Sequence, residues 1–304
     1  MAGCLSVTID VEDWYHIPSV TGSPFSVYRD VDHFFRSWGD RRYDYLSGPL
    51  GRALDLLDEF GIKATFFVVA DVVGHYPGLV ESIADRGHEI ACHGLHHTCK
   101  IHNRTKSPLV DIESFKRRTL AAREMLEGAC KNRVIGYRAP NALVAGWMLD
   151  ALDELGYRYD SSVCVNSLYN KTDSELKGVS TSPYSPGRCS LEPGERGRFT
   201  EFPWASYDIG VKLPTSGGPM LRFLGAHVVL GGLRQSLRRG HAIFYFHPLD
   251  ISEEPFPRIG KGRPFYWSIK GRTVEQRVRL ILQSLSDEGV RMKSLGALHQ
   301  EAVA

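Results

Sequence analysis

Hydrophobic and polar positions along the chain alternate between two rhythms. Short runs rich in β-branched and aromatic residues predict strands at Leu5–Ile9, Ala64–Val69, His88–Cys92, Val134–Tyr137, Tyr157–Asp160, Arg198–Phe202 and Ala242–Phe246, with a weaker one near Val290–Leu295. Several are apolar at consecutive positions, as expected where helices cover one face of a sheet and a barrel interior the other. Helical spacing fills the intervals. Leu50–Phe60 sets Leu54, Leu57 and Phe60 on one side before Gly61, Pro77–Arg86 stops at Gly87, and Met148–Leu155 stops at Gly156. Ile112–Ala129 gathers Phe115, Leu120, Ala122, Met125 and Leu126 largely on one face. Thr273–Asp287 carries Val274, Val278, Ile281, Leu282 and Leu285, and its Thr273 and Gln276 have the spacing of a capping box. Strands alternating with helices predict βα units around a largely parallel sheet.

Two stretches keep no period, Ile17–Ser47 and Ser162–Gly197; loops this long are usually functional or carry local structure of their own. Neither a linker nor a repeat of roughly 20–50 residues divides the chain, so residues 1–304 are expected to form a single domain. Charge narrows the classes further. Lys and Arg number 37 against 35 Asp and Glu, for a net charge of +2 without a basic cluster, which argues against a nucleic-acid binder that works by phosphate neutralisation. The apolar runs fall well short of the ~20 residues of a membrane span. Met1–Cys4 lacks the basic start and apolar core of a secretory leader, so a cytoplasmic location is expected. The six cysteines include no Cys-x-x-Cys pair and are expected to be free thiols.

Four polar clusters sit at or just beyond the ends of predicted strands, the edge where parallel α/β folds gather ligands and catalytic groups. Asp10-Val11-Glu12-Asp13 follows the first strand, and its acids are costly to bury unless paired or bound to metal; they could equally open a helix. His93-Gly94-Leu95-His96-His97 follows the third, with His93 and His97 spaced to share one side of a helical turn and, with a carboxylate, to ligate a divalent metal. Arg138-Ala139-Pro140 and His247-Pro248-Leu249-Asp250 follow two later strands. Arg138 could hold a carboxylate ionised, and His247 could donate a proton, although each alone also fits an ordinary surface arginine or a satisfied core histidine. Alternation sets Cys92 and His93 on opposite faces, against a Cys–His nucleophile.

In this order the motifs resemble the polysaccharide deacetylase family, carbohydrate esterase family 4: an acid motif after the first strand, His-x-x-x-His at His93–His97, Arg-x-Pro at Arg138–Pro140, and a late strand ending in His247. Ala64-Thr65-Phe66-Phe67, Gly87-His88-Glu89-Ile90, Tyr159-Asp160-Ser161-Ser162 and Glu201-Phe202-Pro203-Trp204 add smaller likenesses. Pro264-Phe265-Tyr266-Trp267 through Arg272-Thr273 resembles a branch found with exopolysaccharide and surface-glycan biosynthesis. The likeness runs from about Leu5 to about Leu295 and implies a distorted (β/α) barrel, often seven-stranded, that binds a divalent metal. Two histidines and a carboxylate suit Zn²⁺, with Co²⁺, Ni²⁺ or Fe²⁺ as alternatives. The implied activity is hydrolysis of an N-acetyl group from an amino sugar in a polysaccharide, oligosaccharide or glycan precursor.

The same resemblance implies Asp10 as general base, Arg138 as its orienting partner, His247 as proton donor to the leaving amine, and a backbone N–H near Asn141 or Ala142 at the oxyanion. The family's usual pair of adjacent aspartates is replaced here by Asp10-Val11-Glu12-Asp13. The carboxylate ligand is therefore open between Glu12, on the strand face of Asp10, and Asp13, the usual residue type. Trp14, Pro140, Asn141 and Trp204 are candidate substrate contacts; Tyr15 and Tyr207 could add stacking surface, and the aromatics could equally be core. His16 and His96 could line the groove or support the ligands. Two rival functions remain: an amidase for a small non-sugar C–N bond, allantoinase-like, and a glycan-binding homologue without turnover. The small net charge fits a largely uncharged sugar amide.

Overall fold

In the computed structural model, which describes residues 3–38, 44–174, 176, 179–195, 197–256 and 268–303, the first strand shows how alternation builds the fold. Along β1 (Cys4–Val11), Leu5, Val7, Ile9 and Val11 join the core beneath the helices, whereas Ser6, Thr8 and Asp10 take the opposite face and turn inward. Around β1 stand β2 (Thr65–Val68), β3 (Glu89–Cys92), β4 (Gly136–Tyr137), β5 (Tyr159–Asp160) and β6 (Thr200–Glu201). An antiparallel hairpin, β7 (Ser206–Asp208) and β8 (Lys212–Pro214), follows, then β9 (His241–Phe246) and β10 (Arg291–Met292). Seven parallel strands run in the order β9-β1-β2-β3-β4-β5-β6 and curl into a half-barrel of the (β/α) type. The short β10 pairs only with Cys4 and Leu5, just before β2 joins β1 at Thr8.

No ladder joins β6 to β9. Instead Tyr245 N–H donates to Ser216 O at 2.7 Å and Gly218 N–H to Tyr245 O at 3.0 Å, so that loop occupies the free edge of β9. The approach requires glycine: Gly217 has φ 134°, and a Cβ there would stand 1.9 Å from Tyr245 O.

The helices are α1 (Val31–Trp38), α2 (Ser47–Glu59), α3 (Val72–His75), α4 (Leu79–Asp85), α5 (Ile112–Cys130), α6 (Gly146–Glu154), α7 (Pro219–Leu237), α8 (Pro248–Ile251), α9 (Arg272–Asp287) and α10 (Leu295–Val303). Among them α9 buries Val274, Val278, Ile281, Leu282 and Leu285 completely, each worth about 1.5–3 kcal/mol relative to exposure. Inside the barrel a second core holds Phe67, Tyr159, Phe202, Trp204, Ile243 and Tyr245. None of the helices is long and apolar enough to cross a membrane, among the described residues.

Several sequence expectations are corrected. The buried face of α5 is Phe115, Thr119, Ala122, Leu126 and Ala129; Met125, one step (about 100°) around the helix from Leu126, is exposed and Leu120 half-buried. Thr273 caps nothing, because α9 starts at Arg272 behind Gly271, whose φ is 69° and whose N–H is held by Asp250 O at 2.9 Å. Helix α7 carries no polar/apolar periodicity to read: it packs against β7, β9 and α9 at once and bends at Gly225. Helices α1 and α10 were likewise not expected, α1 lying inside the aperiodic Ile17–Ser47 stretch.

Gly136 of β4 lies under the Tyr159 ring, where a Cβ would come within 2.0 Å of Cζ, and the Tyr159 hydroxyl is anchored to Glu89 Oε1 at 2.8 Å. Gly136→Ala is therefore expected to destabilise the fold by about 1–3 kcal/mol through overpacking, read as a lower midpoint in urea unfolding; an unchanged midpoint would contradict the packing described.

Candidate active site

The polar face of β1 continues one step past the strand, so Asp10 and Glu12 share a side. Loops after β3, β4 and β9 bring His93, His97, Arg138 and His247 to the same place, where all six line a cavity of about 130 Å³. The segment His93–His97 is a loop rather than the helical turn expected: Gly94 takes φ 83° and His97 φ 52°, yet the two rings still lie 4.8 Å apart. Asn141 (φ 60°) and Ala142 (φ 55°) are also left-handed. Such backbone costs on the order of 1–3 kcal/mol per residue and is typical of functional sites.

Each imidazole is turned by a carbonyl. His93 Nδ1 lies 2.8 Å from Arg138 O and His97 Nδ1 2.9 Å from His16 O. A carbonyl only accepts, so both Nδ1 atoms carry a proton, and each ring turns its Nε2 towards the cavity. Burial pushes the His93 imidazole down to about 4, against the pull of Asp10, and keeps it neutral. Burial alone would raise the Glu12 carboxyl, but His97, by charge and hydrogen bond, and then His247 outweigh it and hold it well below the usual carboxylate range. Glu12 Oε2 is buried 2.8 Å from His97 Nε2. Donor atoms of Glu12, His93 and His97 fall within 4.8 Å of one another. Ligand atoms facing one another in this way fit a divalent cation, as does their chemistry.

Asp10 lies alongside. Its Oδ1 accepts from Arg138 Nη1 at 2.6 Å, and its Oδ2 stands 3.9 Å from His93 Nε2 and 4.0 Å from His247 Nε2. Arg138, fully buried, spends its other donors on Thr8 Oγ1, Ser161 O and Ser161 Oγ, each at 2.9 Å. Its guanidinium lies 4.0 Å from the centre of the Phe67 ring. Behind Ser161, Asp160 and Glu201 form a buried carboxyl pair that shares a proton: burial raises Asp160 to about 6 and Glu201 well above the usual range. The pair grips the backbone amides of Ser162 and Val163, fixing the loop that holds Arg138.

On the opposite side, His247 Nδ1 meets Asp250 Oδ2 at 3.0 Å, and His247 Nε2 faces Glu12 Oε1 at 3.3 Å. Asp250 is in turn paired with Arg222 of α7. Burial works against a charged imidazole here, but Asp250, by charge and hydrogen bond, with Glu12 and Asp10 behind it, pushes His247 up to about 9.

Residues 44–159 match the polysaccharide deacetylase family. That span includes His93, His97 and Arg138 but neither β1 nor β9, while residues 168–290 match a domain family of unknown function, DUF3473. The peptidoglycan deacetylase-like protein FGM2 of Gibberella zeae is 33% identical over 118 residues, 38% of this chain and 32% of that protein. The chain thus spans about a third of that curated relative's length. A solved structure described as a polysaccharide deacetylase, from Mycobacterium smegmatis, aligns with TM-score 0.63 and 18% identity over 99% of this chain and 91% of its own. PuuE allantoinase aligns with TM-score 0.57 and 16% identity over 98% and 90%. At these identities the likeness is one of fold. The family match thus covers residues 44–159, the likeness over the whole chain is one of fold, and the segment resembling a surface-glycan branch, Pro264–Trp267, lies outside the described residues.

The remaining candidates divide. Asp13 does not join the His93–His97 cluster: its Oδ1 caps the 3-10 turn Trp14–His16 by accepting from Trp14 N–H at 2.7 Å, and its Oδ2 accepts from the Tyr76 hydroxyl. Trp14 is packed against Phe34, Trp38 and Tyr45 in a satellite core, away from the cavity, because the same turn carries it outward. Tyr15 stacks on Phe34, and the Tyr207 ring packs on Gly231 of α7. Pro140 opens a 3-10 turn over Gly94 without lining the cavity; Asn141 and Trp204 do line it. His16 and His96 both meet Asp71, at 2.9 Å each, which anchors the carbonyl that turns His97. Cys92 is fully buried and its thiol is pushed up to about 11 by burial, so it holds no thiolate. Asp250 and Arg222 were not assigned from sequence. Asp250 was visible as the i+3 carboxylate after His247, but Arg222 sits on the helix that periodicity did not reveal.

Proposed function

We propose that the protein is a divalent-metal-dependent hydrolase that removes an N-acetyl group from an amino sugar in a glycan or glycan precursor and releases acetate. One observation carries the reading: two imidazole lone pairs and the Glu12 carboxylate converge beside the Asp10–Arg138 pair, with His247 across the same cavity. We also infer that residues 1–304 act as one catalytic unit, since strands from both sides of the family matches share one sheet. The finer reading is an enzyme of surface-glycan biosynthesis working in a reducing compartment, which six free cysteines favour.

Glu12, His93 and His97 would hold the metal, Zn²⁺ by preference, which supplies Lewis-acid polarisation of the amide carbonyl and a lower pKa for water. Asp10, whose Oδ1 accepts from Arg138 Nη1 at 2.6 Å, takes the proton of the attacking water. The Ala142 amide is already bonded to Ala139 O at 2.9 Å, leaving Asn141 N–H as the candidate donor to the oxyanion. Protonated His247, oriented by Asp250, delivers its proton to the departing amine. Trp204, whose Nε1 donates to Ser161 O at 2.9 Å, offers the cavity a fixed apolar wall.

The test is acetate release by metal-stripped protein reloaded with Zn²⁺, Co²⁺, Ni²⁺ or Fe²⁺, on N-acetylated oligosaccharides and on allantoin. Turnover confined to the sugars is expected; turnover of allantoin alone would move the protein to the small-amide class, and sugar retention without acetate to the binding class. Zinc titration separates the two acids. Glu12→Gln is expected to weaken binding by more than the roughly 10–100-fold that loss of a supporting partner costs. Asp13→Ala should keep the metal and lose about 0.5–2 kcal/mol of stability with its cap. Equal zinc affinities in the two variants would remove Glu12 from the proposed set.

A further inference from the structure

A wall of the reaction cavity belongs also to a second cavity, of about 160 Å³: Pro18, Asn141 and Lys171 line both. That second cavity shares Pro24 and Cys99 with a third, of about 690 Å³. The three cavities follow one another as a track away from His93 and His97. Lys171 stands at the first junction, and Lys100 and Arg118 line the far end.

None of these three cations forms an ion pair among the described residues. Lys100 is 4% exposed, and its ammonium donates only to Thr98 Oγ1. Half-buried Lys171 has the ring face of Tyr169, 5.3 Å away, and exposed Arg118 makes no side-chain hydrogen bond among the described residues. Elsewhere Arg86, Lys116, Arg234 and Arg279 all reach carboxylates. Of the acids along the track, Asp10, Glu12 and Asp250 face Arg138, the imidazoles and Arg222, and Asp111 accepts Ser114 N–H at 2.8 Å, while rim Arg29 pairs with Asp30. A buried ammonium without a counter-charge is costly. Burial, with Arg118 adding to it, pushes Lys100 down to about 8.

We propose that this track binds an acidic glycan strand, whose carboxylate-bearing sugars flank the N-acetylated unit and dock on Lys171 and on the Lys100–Arg118 pair. The inference rests on the deacetylase reading for the role of the first cavity and adds the substrate class. Separated cations favour charges spaced along a chain over a single phosphate.

Binding to metal-free protein, followed by NMR titration, tests it independently of turnover. The probes are hyaluronan hexasaccharide, which alternates N-acetylglucosamine with glucuronate, the uncharged chitohexaose, and UDP-N-acetylglucosamine, whose charge sits on one pyrophosphate. Hyaluronan is expected to bind about tenfold tighter than chitohexaose, as a sum of weak, partly exposed charge contacts, and the gap should close in the Lys171→Gln/Arg118→Gln double variant and at high salt. Neither substitution empties a fully buried site, so folding should survive. Equal affinities for the two hexasaccharides, a gap that persists in the variant, or tightest binding of the nucleotide sugar would each overturn the proposal. Hyaluronan preference without acetate release from any metal-loaded form would leave the track standing and remove the deacetylase reading.

Discussion

Asp10→Asn is expected to lower acetate release by about 10²–10⁴-fold, the usual contribution of a positioned general base, while the protein remains folded. The amide keeps the size of the carboxylate and an oxygen for Arg138 Nη1, now 2.6 Å from Asp10 Oδ1, but it takes no proton from water. Asp10→Ala should lose the same activity and a second quantity as well. Arg138 has no exposed surface; without Asp10 its charge keeps only Thr8 and Ser161 as partners, and an uncompensated buried charge costs about 3–5 kcal/mol. Thermal melts and acetate assays on both variants separate the two effects. Turnover by Asp10→Asn within tenfold of the parent would remove Asp10 from the role of base.

His247 carries the second large effect. Its value is raised, so the protonated, donating form persists through neutrality and is lost as pH climbs towards about 9. Part of the upward push comes from Glu12 and Asp10, whose charges a bound cation would offset; Asp250 is the part that remains. The alkaline limb of kcat is therefore expected between the ordinary imidazole value of about 6.5 and about 9. Asp250→Asn should draw that limb down by a unit or more, and His247→Ala should abolish it along with about 10²–10⁴ of the rate. Folding follows the same sign: the stability tied to this ion pair is complete below about pH 6.5 and disappears as pH rises through about 9. A limb that does not move in Asp250→Asn would show that another group sets it.

The strand ends were legible because period-2 alternation is strict. It put Asp10 and Glu12 on one face and separated Cys92 from His93, and both placements follow from the backbone. Asp13 and Trp14 were ambiguous because a single 3-10 turn reverses their direction, and nothing in their residue types announces that turn. Arg222 was invisible for a related reason. Its helix is apolar around most of its surface, so the stripe that marks a helix is missing. Net charge, +2 over the whole chain, is an average that says nothing of where Lys171, Lys100 and Arg118 stand.

The pairing of β1 with β9 also sets a schedule. Cys4 waits for His241, a partner 237 positions later, and at about 5–20 residues per second of synthesis that delay is roughly 10–50 seconds. Once β2 has paired, the nascent chain still has one bare edge on β1, the kind of edge that recruits neighbours. Newly made protein should therefore depend on chaperone shelter far more than the finished barrel does, and slowing the ribosome between β6 and β9 should cost soluble yield.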